Sequence, residues 1–176
     1  MISLQCFLSY LRKKKIISNQ KLEQFKKNII FSDNNLIALN KPSSLAVQGG
    51  SAIDISVDDF LPYLKESISQ SNLSLVHRLD KDTSGCLVVA KTRFAASALA
   101  KSFRSRDTRK IYWSLVAGVP RVKQGRISTY LAKGEDDEGD QKMQVAKHGD
   151  EGASHAVTYY AVVETVAQKL AWLSMK

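Results

Sequence analysis

The nine residues His77-Arg78-Leu79-Asp80-Lys81-Asp82-Thr83-Ser84-Gly85 hold a guanidinium, two carboxylates and two hydroxyls, and an apolar run from Cys86 to Ala90 follows. Polar groups packed this densely between apolar runs mark a loop held by rigid elements, where reactive side chains concentrate. In an extended backbone Arg78 and Asp80, two residues apart, fall on one face. A nearby guanidinium favours the charged carboxylate, which leaves Asp80 available as a nucleophile or a general base. Asp82, Thr83 and Ser84 are suited to bond nearby backbone and shape a turn. Gly85 supplies a dihedral that a side chain would oppose. On residue chemistry alone, a structural Arg78–Asp80 ion pair with a plain turn behind it is the simpler reading. Two carboxylates at 80 and 82 also suit a hydrolase superficially. Glycosidase carboxylates, however, flank their substrate from separate elements at roughly 5–9.5 Å.

The flanking segments supply the elements that must hold this loop. Ile29 to Phe31 and Leu36 to Leu39 read as two short strands around the polar turn Ser32-Asp33-Asn34-Asn35. Pro42 ends the second, because it lacks an amide donor and restrains its predecessor. Gly49 and Gly50 give flexible backbone. Ser56, with Asp59 three residues on, is close to a capping box. Val57, Phe60, Leu61, Leu64 and Ile68 then recur at helical spacing. A second helix is expected from Thr92, with Phe94, Ala95, Ala98, Leu99 and Phe103 on one face. Cys86 to Lys91 reads as a covered strand. From Lys110 onward the chain is strand-rich, in five segments parted by glycine or polar turns. Helices early and strands late predict an α+β domain with a mixed, largely antiparallel sheet and flanking helices.

A chain of 176 residues, 44% hydrophobic and 24% charged, suffices for one domain with a real core. No apolar stretch approaches the roughly 20 residues of a membrane span. The opening MISLQCFLSYLRKKK carries its positive charges after its apolar residues, the reverse of a secretory signal. Cys6 and Cys86 have neither disulfide-framework nor metal spacing, and three histidines lack cysteine pairs nearby. A reduced, cytoplasmic protein without a bound metal is the expectation. The net charge of +9 makes nucleic acid the leading partner class. One basic cluster runs from Arg12 to Lys15 with Lys21, Lys26 and Lys27. Another comprises Lys101, Arg104, Arg106, Arg109 and Lys110, for which RNA contact and a helix-dipole role both stand. The acidic stretch 134–140 reads as a solvated loop.

HRLDKDTSGCLVVAK resembles the signature of the RluA-type pseudouridine synthases, and the likeness extends outward. Residues 29–51 are similar to that family's entry strand and glycine turn. RKIYWSLVAG resembles its lysine-x-tyrosine strand, and ASHAVTYYAVVE its alanine-x-threonine-x-tyrosine strand. The wording LAVQGGS is most like the branch that acts on large-subunit ribosomal RNA. The resemblance covers residues 28–176 and leaves residues 1–27 as a basic extension in which no S4-type RNA-binding module is readable. It implies conversion of uridine to pseudouridine inside RNA, without metal or nucleotide cofactor. Asp80 would be the essential carboxylate. Tyr112 would stack on the target base, and Arg78 would hold the flipped-out nucleotide. The basic residues Lys101, Arg104, Arg106, Arg109 and Lys110 would contact RNA, and His77 is given an orienting or packing role with no proton transfer.

One departure from the family pattern shapes the expectation. In the family, a proline-x-threonine-glycine-arginine segment that brings an arginine to the aspartate follows the strand matched by KLAWLSMK. The sequence in hand stops at Lys176. Residues 1–176 by themselves are therefore expected to be the N-terminal portion of the catalytic domain, with little or no turnover. A non-catalytic RNA-binding remnant is the alternative.

Overall fold

The computed structural model describes residues 16–50, 53–68, 72–105, 108–135 and 141–176. These fall into two compact units that part between Thr108 and Arg109.

In the first unit, helix α1 (Asn19–Lys26) precedes strands β1 (Ile29–Ser32) and β2 (Leu36–Lys41). Helix α2 (Val57–Ser67), strands β3 (Ser74–Leu75) and β4 (Gly85–Ala90), and helix α3 (Arg93–Arg104) follow. The four strands form one antiparallel sheet in the order β1-β2-β4-β3, so β4 is central. The alternation of β2 sends Ile37, Leu39 and Lys41 to the core face, each about 1% exposed. Leu87 and Val89 of β4 join them. Helix α2 covers this layer with Val57, Phe60, Leu61 and Leu64. Phe25 of α1 stacks on Phe60 with ring centroids 4.2 Å apart. Burying one such aromatic side chain stabilises by roughly 1.5–3 kcal/mol, enough to dock a two-turn helix that propensity alone would not sustain.

The caps follow the sequence closely. Asp59 Oδ2 accepts from the Ser56 amide at 2.9 Å and from Ser56 Oγ at 2.8 Å. The first amides of α2, Val57 and Asp58, donate to the carbonyls of Ala46 and Val47. That ties the helix start to the chain leaving β2. Thr92 caps α3, its Oγ1 accepting from the Ala95 amide at 3.1 Å. One expectation for α3 fails. Phe94 is 82% exposed, and Ala98 is exposed too. The covered stripe instead runs through the buried Ala95 and the half-buried Leu99 and Phe103, each four residues from the last, which places Phe94 about 100° round the helix.

The turn between β1 and β2 is held by Asp33, whose Oδ1 accepts from the amides of Asn35 at 2.7 Å and Leu36 at 2.8 Å. The Leu36 and Asn35 amides, in that order, and the Lys91 charge hold its carboxyl below its ordinary value of 3.8. A depressed carboxylate adds stability that is complete above its unfolded pKa and fades as pH falls through the folded one. Asp33→Asn keeps the acceptor oxygen but not the charge. It is expected to lower stability modestly at neutral pH, with the gap from the native protein closing as pH falls below about 4, as measured by urea denaturation across pH.

The second unit is a five-stranded antiparallel sheet in the order β5-β9-β8-β6-β7. Its strands are β5 (Tyr112–Ala117), β6 (Gln124–Glu135), β7 (Gln141–Ala146), β8 (Ser154–Val166) and β9 (Leu170–Met175). The hairpin joining β8 and β9 places Ala167 and Gln168 at φ 50° and 54°, the left-handed pair that matches strand twist. All five strand-rich segments of the sequence become strands. The α+β class with antiparallel sheets and flanking helices is thereby borne out. The acidic stretch expected as a loop falls on residues 136–140, outside the described residues, while Gly134 and Glu135 belong to β6.

Candidate active site

The loop from His77 to Ser84 leaves the first sheet at the end of β3 and re-enters it at Gly85, the first residue of β4. Gly85 has φ 124°, so the dihedral expected there is the one found. Asp80 opens the turn within this loop, and its side chain and that of Arg78 are exposed. Among the described residues no ion pair joins Arg78 to Asp80, so the structural pair that residue chemistry alone suggested has no bond behind it.

The backbone of the loop is clamped from several directions. The Thr83 amide donates to the Asp80 carbonyl at 3.1 Å, which closes a tight turn around Lys81 and Asp82. Ser43 Oγ donates to the Asp82 carbonyl at 3.0 Å. Lys41 Nζ donates to the Lys81 carbonyl at 3.0 Å, and also to those of Leu45 at 2.6 Å and Pro42 at 2.9 Å. One buried ammonium therefore ties the end of β2 and the chain after it to the loop that carries Asp80. An ammonium offers three donors, and all three are used. Burial pulls the Lys41 pKa below 10.5, while the charges of Asp82 and then Asp80 oppose that pull. For a lysine depressed in this way, the buried charge is itself a cost to the folded state at neutral pH. What Lys41 contributes is its three bonds.

Lys41 and Ser43 hold the loop at positions that the sequence alone did not single out. The signal for Lys41 was present, since it continues the inward alternation of Ile37 and Leu39. Ser43 gave none, because its partner is 39 residues away in sequence.

His77 is held behind the loop. Its Nε2 accepts from the Val88 amide at 2.8 Å, and its ring stacks on Phe103 of α3 at 4.0 Å and 18°. Lys101 and Arg104 are exposed near the end of α3. Arg109 and Lys110 are exposed just ahead of β5, and Arg106 lies outside the described residues. Tyr112 is the first residue of β5 and 39% exposed. Its cross-strand partner is Met175, and it shares a sheet face with the buried Leu173 and Ala171. Arg78, Asp80, Lys101 and Arg104 thus belong to the first unit, and Arg109, Lys110 and Tyr112 to the second. Among the described residues no group of three or more His, Cys, Asp or Glu is placed to hold a metal ion. None of their helices is long and apolar enough to cross a membrane.

A family model described as RNA pseudouridylate synthase matches residues 35–176, which include the clamped loop, Lys41 and Tyr112. The chain belongs to this family. The pseudouridylate synthase signature read from His77 to Lys91 thus names the right family. Ribosomal large subunit pseudouridine synthase C of Rickettsia bellii (strain RML369-C) is 35% identical over 142 residues, covering 81% of this chain and 45% of that protein. The protein of the same name from Pasteurella multocida (strain Pm70) is 39% identical over 129 residues, covering 73% of this chain and 39% of that one. Among solved structures, human RNA pseudouridylate synthase domain containing 4 aligns with a TM-score of 0.73 at 28% identity, covering 89% of this chain and 61% of that one. The chain spans less than half the length of these two curated relatives.

Proposed function

We propose that the protein isomerises uridine to pseudouridine in RNA, with large-subunit ribosomal RNA as substrate, in the cytoplasm, and with Asp80 as the essential carboxylate. The observation that carries this reading is the exposed Asp80 side chain on a backbone clamped by Lys41, Ser43 and the Thr83 amide. Catalytic carboxylates need such prior placement, because reacting atoms must meet at about 3–3.5 Å with orbitals aligned. The N1–C1′ bond breaks, the uracil turns, C5 bonds to C1′, the proton on C5 leaves, and N1 takes up a proton from solvent. No electrons enter or depart, so the reaction is redox-neutral. An ionised Asp80 beside the ribose serves either attack at C1′ or removal of the C2′ proton. Tyr112 supplies a stacking surface for the base, and Arg78 holds the displaced nucleotide.

Extruding a base from folded RNA costs a few kcal/mol, which contacts to the surrounding RNA must offset. Lys101, Arg104, Arg106, Arg109 and Lys110 supply those contacts. Replacing Lys101 and Arg104 together by alanine is expected to weaken RNA binding across sequences. It should also make the plot of log affinity against log salt shallower, by about one unit for each phosphate no longer neutralised. Filter binding at several salt concentrations measures both.

The reaction itself is tested by incubating the full gene product with ribosomal RNA transcripts labelled with tritium at uridine C5. Tritium release that matches pseudouridine found by nuclease digestion supports the proposal. RNA bound tightly with no release contradicts it and leaves an RNA-binding protein.

A further inference from the structure

We infer that His77 is a positioning residue whose imidazole stands in for a strand neighbour of β4, and thereby sets where Arg78 to Asp80 departs from the sheet. The inference deepens the proposed function and rests on Asp80 being the reacting carboxylate. Strand β3 pairs with β4 over two positions only, Ser74 with Ala90 and Leu75 with Val89. Continued in the same register, the ladder would set Val76 opposite Val88, Arg78 opposite Cys86 and Asp80 opposite Ser84. All three loop residues would then be drawn into the sheet. Instead the next rung is made by a side chain, with the Val88 amide donating to His77 Nε2 at 2.8 Å. A ring occupying that rung stops the pairing from propagating and also satisfies an amide that would otherwise be left without its ladder partner.

The ring is fixed in two directions. The Val88 bond sets its position in the plane, and Phe103 packs on its face at 4.0 Å. Because Nε2 accepts, the neutral tautomer with its proton on Nδ1 is the one that fits. Few side chains meet both demands. Phenylalanine keeps the stack and loses the acceptor. Glutamine keeps an acceptor oxygen near the position of Nε2 and loses the ring. Three residues further on, the chain reaches Asp80, with no strand pairing between to correct an error in its direction. A shift of about 1 Å in a reacting group lowers rate by up to about 10²-fold, so the anchor at His77 bears on turnover more than on overall stability.

The test uses the full gene product with His77→Phe and His77→Gln. His77→Phe is expected to lower kcat for uridine isomerisation about tenfold or more, with KM little changed and Tm lowered by a few degrees as the Val88 amide loses its acceptor. His77→Gln is expected to restore most of kcat. In amide NMR spectra, the signals of Arg78 to Asp82 should move in His77→Phe and return in His77→Gln. Long-range nitrogen–proton spectra of the wild-type ring should show Nδ1 protonated and Nε2 bare. A protonated Nε2, unmoved amides in His77→Phe, or equal loss of kcat and Tm in both variants would each overturn the inference. If the wild-type protein binds RNA without isomerising it, the role given to Asp80 fails, and the NMR arm alone still decides whether His77 sets the loop.

Discussion

Asp80→Asn is expected to abolish uridine isomerisation while RNA affinity stays within about twofold. The substitution preserves shape and removes only the charge and the basicity of one exposed side chain. Removing a side chain that acts as general base or nucleophile typically costs on the order of 10²–10⁴ in rate or more. The loop keeps its clamps, because Lys41, Ser43 and Thr83 bond to main-chain atoms of the loop and not to the Asp80 carboxylate. In the proposed function RNA affinity rests on the basic residues and not on a single carboxylate, and loss of one negative charge slightly favours a polyanion. Single-turnover tritium release and a binding isotherm on the same preparation separate the two effects. Loss of binding in parallel with loss of turnover would mean that Asp80 is holding the fold together instead.

Lys41→Met should act in the opposite manner, through stability first and turnover second. Methionine keeps an unbranched apolar stem in a position that is 1% exposed, so packing is largely conserved. The three carbonyls of Pro42, Leu45 and Lys81 lose their common donor. Each hydrogen bond to a charged group contributes about 1.5–3 kcal/mol. Against this, the substitution removes the cost of a buried ammonium, and Pro42 is exposed enough for its carbonyl to find water. The balance is a net loss of roughly 3 kcal/mol, a large share of the roughly 5–15 kcal/mol that separates folded from unfolded domains. Urea denaturation gives this number directly. At temperatures where the variant stays folded, kcat should still fall, because the Lys81 carbonyl beside Asp80 is no longer tethered. A variant of wild-type stability with wild-type turnover would show that the buried lysine does not organise the loop.

The loop from His77 to Ser84 was readable in the sequence because its signals are local. Gly85, the capping pair Ser56 and Asp59, and the alternation of β2 each act within a few residues, and each takes the form those residues dictate. What holds the loop still was not readable, because its clamps join distant positions. Lys41 reaches Lys81, Ser43 reaches Asp82, and His77 reaches Val88 and Phe103. No periodicity encodes such pairings. Phe94 was misplaced for a related reason. A helical wheel ranks residues by apolarity, whereas burial on α3 is decided by which stripe meets the sheet, and the small Ala95 is the residue buried there. Helix α1 shows the same limit, since Phe25 is its one buried side chain and its docking depends on Phe60, 35 residues later. The division of the described residues near Thr108 also left no mark in the sequence, where basic residues recur on both sides of it, from Lys101 to Lys110.

The whole interpretation depends on the carboxylate at position 80 meeting a ribose. The measurement closest to it is a crystal structure of the full gene product bound to an RNA whose target uridine is replaced by an unreactive analogue. An Asp80 oxygen lying about 3–3.5 Å from C1′ or from the C2′ carbon of the extruded nucleotide, with the Lys41 and Ser43 bonds intact, is the expected result. A nucleotide seated against the protein with Asp80 turned away from its sugar would contradict it.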